Sequence, residues 1–322
     1  MYDVTGKTYF ELATDREFWL SLNPELTVSE GAVRKPPSAI TVDETVIANI
    51  KETLIEEGYF KIESFFEPDE VALLAKCVKR LHQEQWPETF AYVYDEFWFM
   101  FHRTAWVMTK LLGRDYRQMP NIWVFHLGLN SQSAGWVPHR DRAKIRTLDA
   151  RGYPHSINIW IPLTDATPEN GCMYMLPAGL DDNYNGDMTI QTVKNFQDIR
   201  ALPAKSGDFL GWNEAVFHWG GRSSKLAKEP RISLATVFQD TSVDPLEWPL
   251  MDPLQIPPFI ERVGMIGQQF IRFQVQNSYT PSTYQLALDL SKLSEPILHF
   301  DATNPYKKSK VKELKKLLGL GK

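Results

Sequence analysis

Cysteine is scarce in this chain. Only Cys77 and Cys172 occur in 322 residues, far apart in the sequence. That pair builds neither a disulfide framework nor a zinc ribbon, and a reducing cytoplasm is the expected compartment. A surplus of positive charge is also missing. The formal net charge is −5 and the sequence pI about 5.9, which argues against nucleic-acid binding through a basic face. No apolar run approaches the roughly 18 residues of a membrane span, so no membrane partner is expected. The opening residues, MYDVTGKTYFELATDREFW, are acidic and mixed and do not read as a signal peptide. Internal repeats and low-complexity blocks are absent. What is plentiful is apolar and aromatic: 43% hydrophobic, 12% aromatic and 10 tryptophans. That suits one large domain with a sizeable core or an aromatic-lined pocket.

Residues 1–40 read as an irregular extension ending in the loop-like Lys35-Pro36-Pro37-Ser38. Thr41 is the expected N-cap of a first helix, with Asp43 and Glu44 in its first turn. Val46, Ile47, Ile50, Leu54 and Ile55 form its apolar stripe, and Gly58 ends it. Tyr59 to Phe65 alternates like a strand. Pro68, Asp69 and Glu70 open a second helix that turns Val71, Leu74, Val78 and Leu81 inward. A third helix is expected from Glu96 to Leu112, stopping at Gly113.

The pattern then changes. Asn121 to Leu129, Ser156 to Leu163, Cys172 to Leu176, Asp208 to Trp212 and Ile232 to Phe238 are short, rich in branched or aromatic residues, and punctuated by Gly, Pro and Asn. They predict an antiparallel double sheet within a domain spanning 41–240. Residues 241–322 read as a C-terminal helical extension packed on the core. It opens with a proline-rich stretch, continues with a helix from Phe259 to about Phe273, and ends in a basic amphipathic helix from Lys307 to Leu318.

One constellation carries chemistry. In His139-Arg140-Asp141 the first and third side chains share a strand face, because side chains alternate with period two. A second histidine, His218, follows well downstream in a segment that opens with Gly207-Asp208. Two histidines and one carboxylate can occupy one face of an Fe(II) octahedron and leave the other positions open. A lone His-x-Asp is weak evidence, so context matters. Gly135-Trp136-Val137-Pro138 is a turn that brings His139 to a strand edge, and Arg231 enters an apolar strand after His218. Arginine supplies a fork matched to a carboxylate. Arg222 lies in the intervening loop, but a strand fixes a side chain better than a loop does, which favours Arg231.

The run SINIWIPLTDATPENGCMYMLPAG, Ser156 to Gly179, resembles the core segment of the phytanoyl-CoA dioxygenase family of Fe(II)/2-oxoglutarate oxygenases. Glu57-Gly58-Tyr59-Phe60 through Glu70-Val71 resembles that family's opening strand and helix, and the likeness covers roughly 45–240. Two departures are visible: the segment ends Leu176-Pro177-Ala178-Gly179, without the family's terminal Ser-His, and the spacing from His218 to Arg231 is slightly longer than usual, with Arg222, Ser223, Ser224 and Lys225 in the extra loop. The resemblance implies a mainly β fold with flanking helices around a double-stranded β-helix (jelly-roll) core. It implies that His139, Asp141 and His218 hold Fe(II), with O2 and 2-oxoglutarate as co-substrates. By the same resemblance Arg231 binds the distal carboxylate of 2-oxoglutarate, Ser233 assists, and Asn158 faces the co-substrate. Related halogenases carry a small residue where Asp141 stands, so the aspartate favours hydroxylation, desaturation or ring formation.

The expected partner is a small-molecule metabolite, an anionic biosynthetic intermediate being the leading class. Arg140 and Arg142, with Lys144 and Arg146, would form a cationic lip for it. Trp136, Trp160 and Trp219 are its expected aromatic contacts, with Met173 and Trp212 as further pocket candidates. His126 and His155 read as ordinary polar residues, and Cys77 as inert core. Two other readings stay open: an acyl-CoA hydroxylase of the same family, and a non-catalytic jelly-roll binding protein that retains the metal motif. Neither the oligomeric state nor the outcome of the reaction is legible.

Overall fold

Alternating runs of branched and aromatic residues put the centre of the molecule into antiparallel sheets. The computed structural model describes residues 6–31, 36–129, 136–143, 147–184, 186–273 and 280–299. Its strands are β1 (Tyr59–Ile62), β2 (Arg117–Gln118), β3 (Trp123–Leu127), β4 (Ser156–Pro162), β5 (Met173–Leu176), β6 (Arg200–Leu202), β7 (Phe209–Asn213), β8 (Phe217–Gly220), β9 (Arg231–Gln239), β10 (Glu247–Trp248) and β11 (Leu298–His299). The larger sheet runs β1-β7-β4-β9-β2, with β3 also paired to β9. A smaller sheet runs β6-β5-β8, and β10 pairs with β11.

Period two decides what each strand buries. In β9, Ile232, Leu234 and Phe238 face the main core, whereas Ala235 packs in a second cluster between the sheets. In β4, Ile157, Ile159 and Ile161 join the main core and Trp160 faces the other way. Gly211 of β7 has no side chain because none fits: a Cβ there would lie 2.4 Å from the Phe60 ring. The partner register is Asn158 opposite Trp212 and Ile159 opposite Gly211. Full burial of each large apolar side chain contributes roughly 1.5–3 kcal/mol relative to exposure.

Helices cover the outer face of the larger sheet. They are α1 (Tyr9–Ala13), α2 (Arg16–Leu22), α3 (Glu44–Glu56), α4 (Pro68–Gln83), α5 (Asp95–Arg103), α6 (Ala105–Leu112), α7 (Phe259–Arg272) and α8 (Pro281–Leu290). A 3-10 helix, Glu88–Val93, links α4 to α5. No helix among the described residues is long and apolar enough to cross a membrane.

Several local expectations need correction. The first 40 residues are not simply irregular, since α1 and α2 lie within them. Thr8 and Glu11 close a capping box on α1, and the Asp15 carboxylate accepts from the first amides of α2. Trp19 is buried against Phe90 and Trp86. At five and seven residues, neither helix repeats the 3.6-residue apolar period more than about twice, too little for a clear stripe. The N-cap of α3 is Asp43, not Thr41; the chain before it is tied to α5 where the Ile40 amide donates to the Arg103 carbonyl. The helix expected from Glu96 to Leu112 breaks in two at Thr104, whose hydroxyl donates back to the Phe101 carbonyl at 2.8 Å. The short β2, β6 and β8 were not anticipated, and the basic helix expected at Lys307 to Leu318 lies outside the described residues.

Candidate metal centre and cavity

His139 and His218 meet across an antiparallel bridge. The His139 amide donates to the His218 carbonyl at 3.0 Å, and the reverse bond measures 2.9 Å. Directly opposed residues of such a pair send their side chains to the same face. Each ring is then fixed by its own Nδ1–H, donated to the carbonyl two residues earlier: Val137 at 2.7 Å for His139 and Val216 at 3.1 Å for His218. That leaves both Nε2 atoms facing the same space.

Asp141 completes the cluster. Its Oδ1 lies 3.3 Å from His139 Nε2 and its Oδ2 3.7 Å from His218 Nε2. One ligand atom from each of the three residues falls within 4.8 Å of the others. Adjacent ligands on an octahedral ion with bonds of about 2.1 Å stand about 3 Å apart, so a small contraction would close this set on a metal. Asn158 Nδ2 and Trp212 Nε1 both donate to Asp141 Oδ2, at 3.2 and 3.3 Å, and hold the carboxylate in place.

Electrostatics suits cation binding. Burial alone would raise the Asp141 carboxyl, but His218 and His139 outweigh it and hold it well below the usual carboxylate range. Burial pushes His218 down to about 4, so its imidazole is neutral and ligand-ready near pH 7. Burial also works to lower His139, but its hydrogen bond and charge contact with Asp141 prevail and raise it above its ordinary value.

The cluster opens into a cavity of about 310 Å³. Arg231 also lines it, nearly fully buried, with its guanidinium 5.8 Å from the Trp160 ring. Nη1 donates to the Gly171 carbonyl at 2.6 Å, while Nε has no hydrogen-bond partner among the described residues. No carboxylate among those residues lies within ion-pair distance, and burial pushes Arg231 down to about 10. Gly171 can present that carbonyl because it adopts φ +93°, and a Cβ there would collide with the Gly221 carbonyl at 2.3 Å. Ser233 Oγ and Asn158 Oδ1 are likewise buried without partners. Arg222, the alternative to Arg231, does not line the cavity.

The remaining expected contacts divide. Trp136 and Trp160 line the cavity, with Met173 and Trp212. Trp219 does not: it alternates with His218, points to the other face, and stacks on Tyr174 at 5.8 Å. The cationic lip is also corrected. Arg140 is buried, bonded to Asp181 at 2.6 Å and to the Ala215 and Met188 carbonyls. Arg142 does line the cavity, but Glu214 and Glu247 hold its guanidinium at 2.9 and 2.7 Å. Lys144 and Arg146 lie outside the described residues.

The sequence reading missed the rest of the wall. Trp123 and Phe125 come from β3, Phe273 from the end of α7, and Arg272 of α7 holds Glu247 at 2.8 Å. The β3 pair could have been found by alternation. Glu247, Arg272 and Phe273 could not, because they lie beyond the stretch that carried recognisable motifs.

Residues 105–228 match the model of the family described as phytanoyl-CoA dioxygenase (PhyH). No curated protein matches the chain. Among solved structures, the non-heme monooxygenase ThoJ in its apo form aligns with TM-score 0.53 and 15% identity, over 74% of this chain and 99% of that one. The epimerase SnoN in complex with Fe3+, alpha ketoglutarate and nogalamycin RO aligns with TM-score 0.49 and 21% identity, over 67% and 96%. HygX from Streptomyces hygroscopicus, with nickel and 2-oxoglutarate bound, aligns with TM-score 0.47 and 15% identity, over 63% and 88%. The ThoJ alignment shows a shared fold.

Proposed function

We propose that this chain, whose residues 105–228 belong to the phytanoyl-CoA dioxygenase (PhyH) family, is an Fe(II)- and 2-oxoglutarate-dependent oxygenase that hydroxylates a small organic metabolite. The reading rests on one observation. Two Nε2 atoms and a carboxylate converge in the same cavity as a buried arginine that has no acidic partner among the described residues. A buried guanidinium without a counter-ion is costly, and a ligand carboxylate would remove that cost. The two sheets are taken as the halves of a double-stranded β-helix.

His139, Asp141 and His218 would hold the iron. Bound there with 2-oxoglutarate and O2, it supplies the oxidising chemistry that converts the keto acid to succinate and CO2 and hydroxylates the substrate. Arg231 receives the distal carboxylate of 2-oxoglutarate, and the Ser233 hydroxyl, on the same face of β9, adds a hydrogen bond. Asn158 and Trp212 keep Asp141 oriented as a ligand. Trp123, Phe125, Trp136 and Phe273 form an apolar wall that positions the substrate and excludes water. Beside it, where Arg272 lies over the Phe273 ring, the chain Glu214–Arg142–Glu247–Arg272 presents hydrogen-bonding groups whose charges already offset one another. That arrangement suits a neutral polar substrate better than a strongly anionic one, and it disfavours an acyl-CoA, whose phosphates require unpaired cations.

Anaerobic addition of 2-oxoglutarate to the Fe(II)-loaded protein tests the reading. A visible charge-transfer absorption should appear, followed in air by succinate release that requires both co-substrates. Absence of the band in protein that demonstrably holds iron would mean a binding protein with a relic motif.

A further inference from the structure

A second histidine–carboxylate–histidine cluster lies on the opposite side of β3, in residues the catalytic reading does not use. Its members come from three elements. His82 sits in the last turn of α4, Glu88 opens the 3-10 helix, and His126 belongs to β3. One ligand atom from each lies within 4.8 Å of the others. His82 Nδ1 is 2.8 Å from Glu88 Oε1, and His126 Nδ1 is 3.8 Å from that same oxygen. The two imidazole rings are 4.0 Å apart, tilted by 31°.

We propose that His82, Glu88 and His126 form a zinc-type divalent metal site, separate from the iron centre and independent of the oxygenase assignment. A hydrogen-bonded cluster alone would be explained by the His82–Glu88 pair. His126 is not explained that way. Its side chain is only 7% exposed, and its buried Nδ1 faces Glu88 with no hydrogen-bond partner among the described residues. An orphaned, buried imidazole nitrogen aimed at a carboxylate is costly in a protein alone and satisfied by a cation.

The chemistry selects the ion. Imidazole nitrogen with one carboxylate oxygen suits Zn(II) and its neighbours rather than Ca(II) or Mg(II). Tetrahedral ligands with bonds of about 2.0–2.1 Å stand about 3.4 Å apart, a value between the two separations here. The His82 side chain is 56% exposed, so the fourth position opens to water. Because side chains alternate along β3, Phe125 faces the cavity while His126 faces this cluster. The ion would therefore pin the end of α4 to the back of a strand that forms the cavity wall.

Zinc stoichiometry of the metal-stripped full-length chain tests the site. The wild type should bind two equivalents. His82→Gln, at a half-exposed position that leaves packing intact, should bind one, and the His139→Ala/Asp141→Ala variant should keep the other. In that second background, adding His82→Gln or Glu88→Gln should weaken zinc by at least about tenfold. X-ray absorption of its bound zinc should show imidazole scattering with oxygen. A background variant that binds no zinc saturably while its circular dichroism stays native would overturn the site. So would an unchanged zinc affinity after His82→Gln. Should the double variant not fold, the wild-type count falling from two to one with His82→Gln decides the matter.

Discussion

The two faces of the larger sheet are built from the same strands and obey opposite rules. On the outer face, Ile157, Ile159, Ile161, Phe209, Ile232, Leu234 and Phe238 are apolar and interlock with the helices. On the inner face, Asn158, Ser233 and Arg231 alternate with them and carry buried polar atoms without partners among the described residues. One strand face is filled by apolar side chains. The other carries polar groups that a bound ligand would satisfy. On the proposed reading, function falls on the inner face and stability on the outer, and that division can be tested one residue at a time.

The largest effect on the inner face should come from Asp141→Ala. The variant loses the only anionic member of the cluster and the acceptor for Asn158 and Trp212. Coupled succinate formation should fall below detection while the far-ultraviolet spectrum stays native, and retained turnover would refute the ligand assignment. The matching cut on the outer face is Phe238→Ala. This ring is fully buried against Phe101 and Tyr116. Denaturant unfolding should show a loss of about 3–5 kcal/mol, with 2-oxoglutarate affinity of the folded fraction little changed. A loss of affinity comparable to the loss of stability would erase the division between the faces.

Acid should attack the outer layer through His102. This α5 side chain is buried, neither ring nitrogen has a hydrogen-bond partner among the described residues, and burial pushes it down to about 4. The unfolded chain takes up a proton as pH falls through about 6.5, whereas the native chain resists until about 4. Stability is therefore lost as pH drops across that window, by up to roughly 3 kcal/mol from this group. His102→Phe removes the penalty. Its advantage over the wild type, measured by urea unfolding, should grow from pH 7 to pH 4, and a constant difference would show that His102 is already satisfied.

Legibility followed the range of each interaction. Strands with period-two alternation, such as β4 and β9, can be read locally, and so can a helix opened by Pro68. The four-residue β8 could not, since Phe217–Gly220 is too short to show a period, although it carries His218. Parity was available and would have turned Trp219 away from the cavity once His218 faced it. Arg140 and Arg142 show the harder limit. A run of basic residues reveals its charge but not Asp181, Glu214 or Glu247, the partners that neutralise it from distant parts of the chain. The cavity wall contributed by Arg272 and Phe273 depends on how α7 docks, which no local pattern encodes.

Arg231 gives the smallest of these effects and the sharpest comparison of the two faces. It begins the same strand as Phe238, but among the described residues its guanidinium is held only by the Gly171 carbonyl and the Trp160 face. Removing it takes away a buried charge as well as a bond, so Arg231→Ala should leave stability nearly unchanged or slightly improved. Its cost should appear only when the keto acid binds. Loss of a charge-assisted contact worth about 1.5–3 kcal/mol predicts a rise of roughly ten- to a hundredfold in the 2-oxoglutarate concentration for half-saturation. Arg231→Lys should recover part of that loss, because it restores the charge without the fork. Titration of the Fe(II) charge-transfer band measures the affinity and urea unfolding measures the stability. A variant that is strongly destabilised yet binds 2-oxoglutarate normally would make Arg231 a structural residue and move the co-substrate's anchor elsewhere.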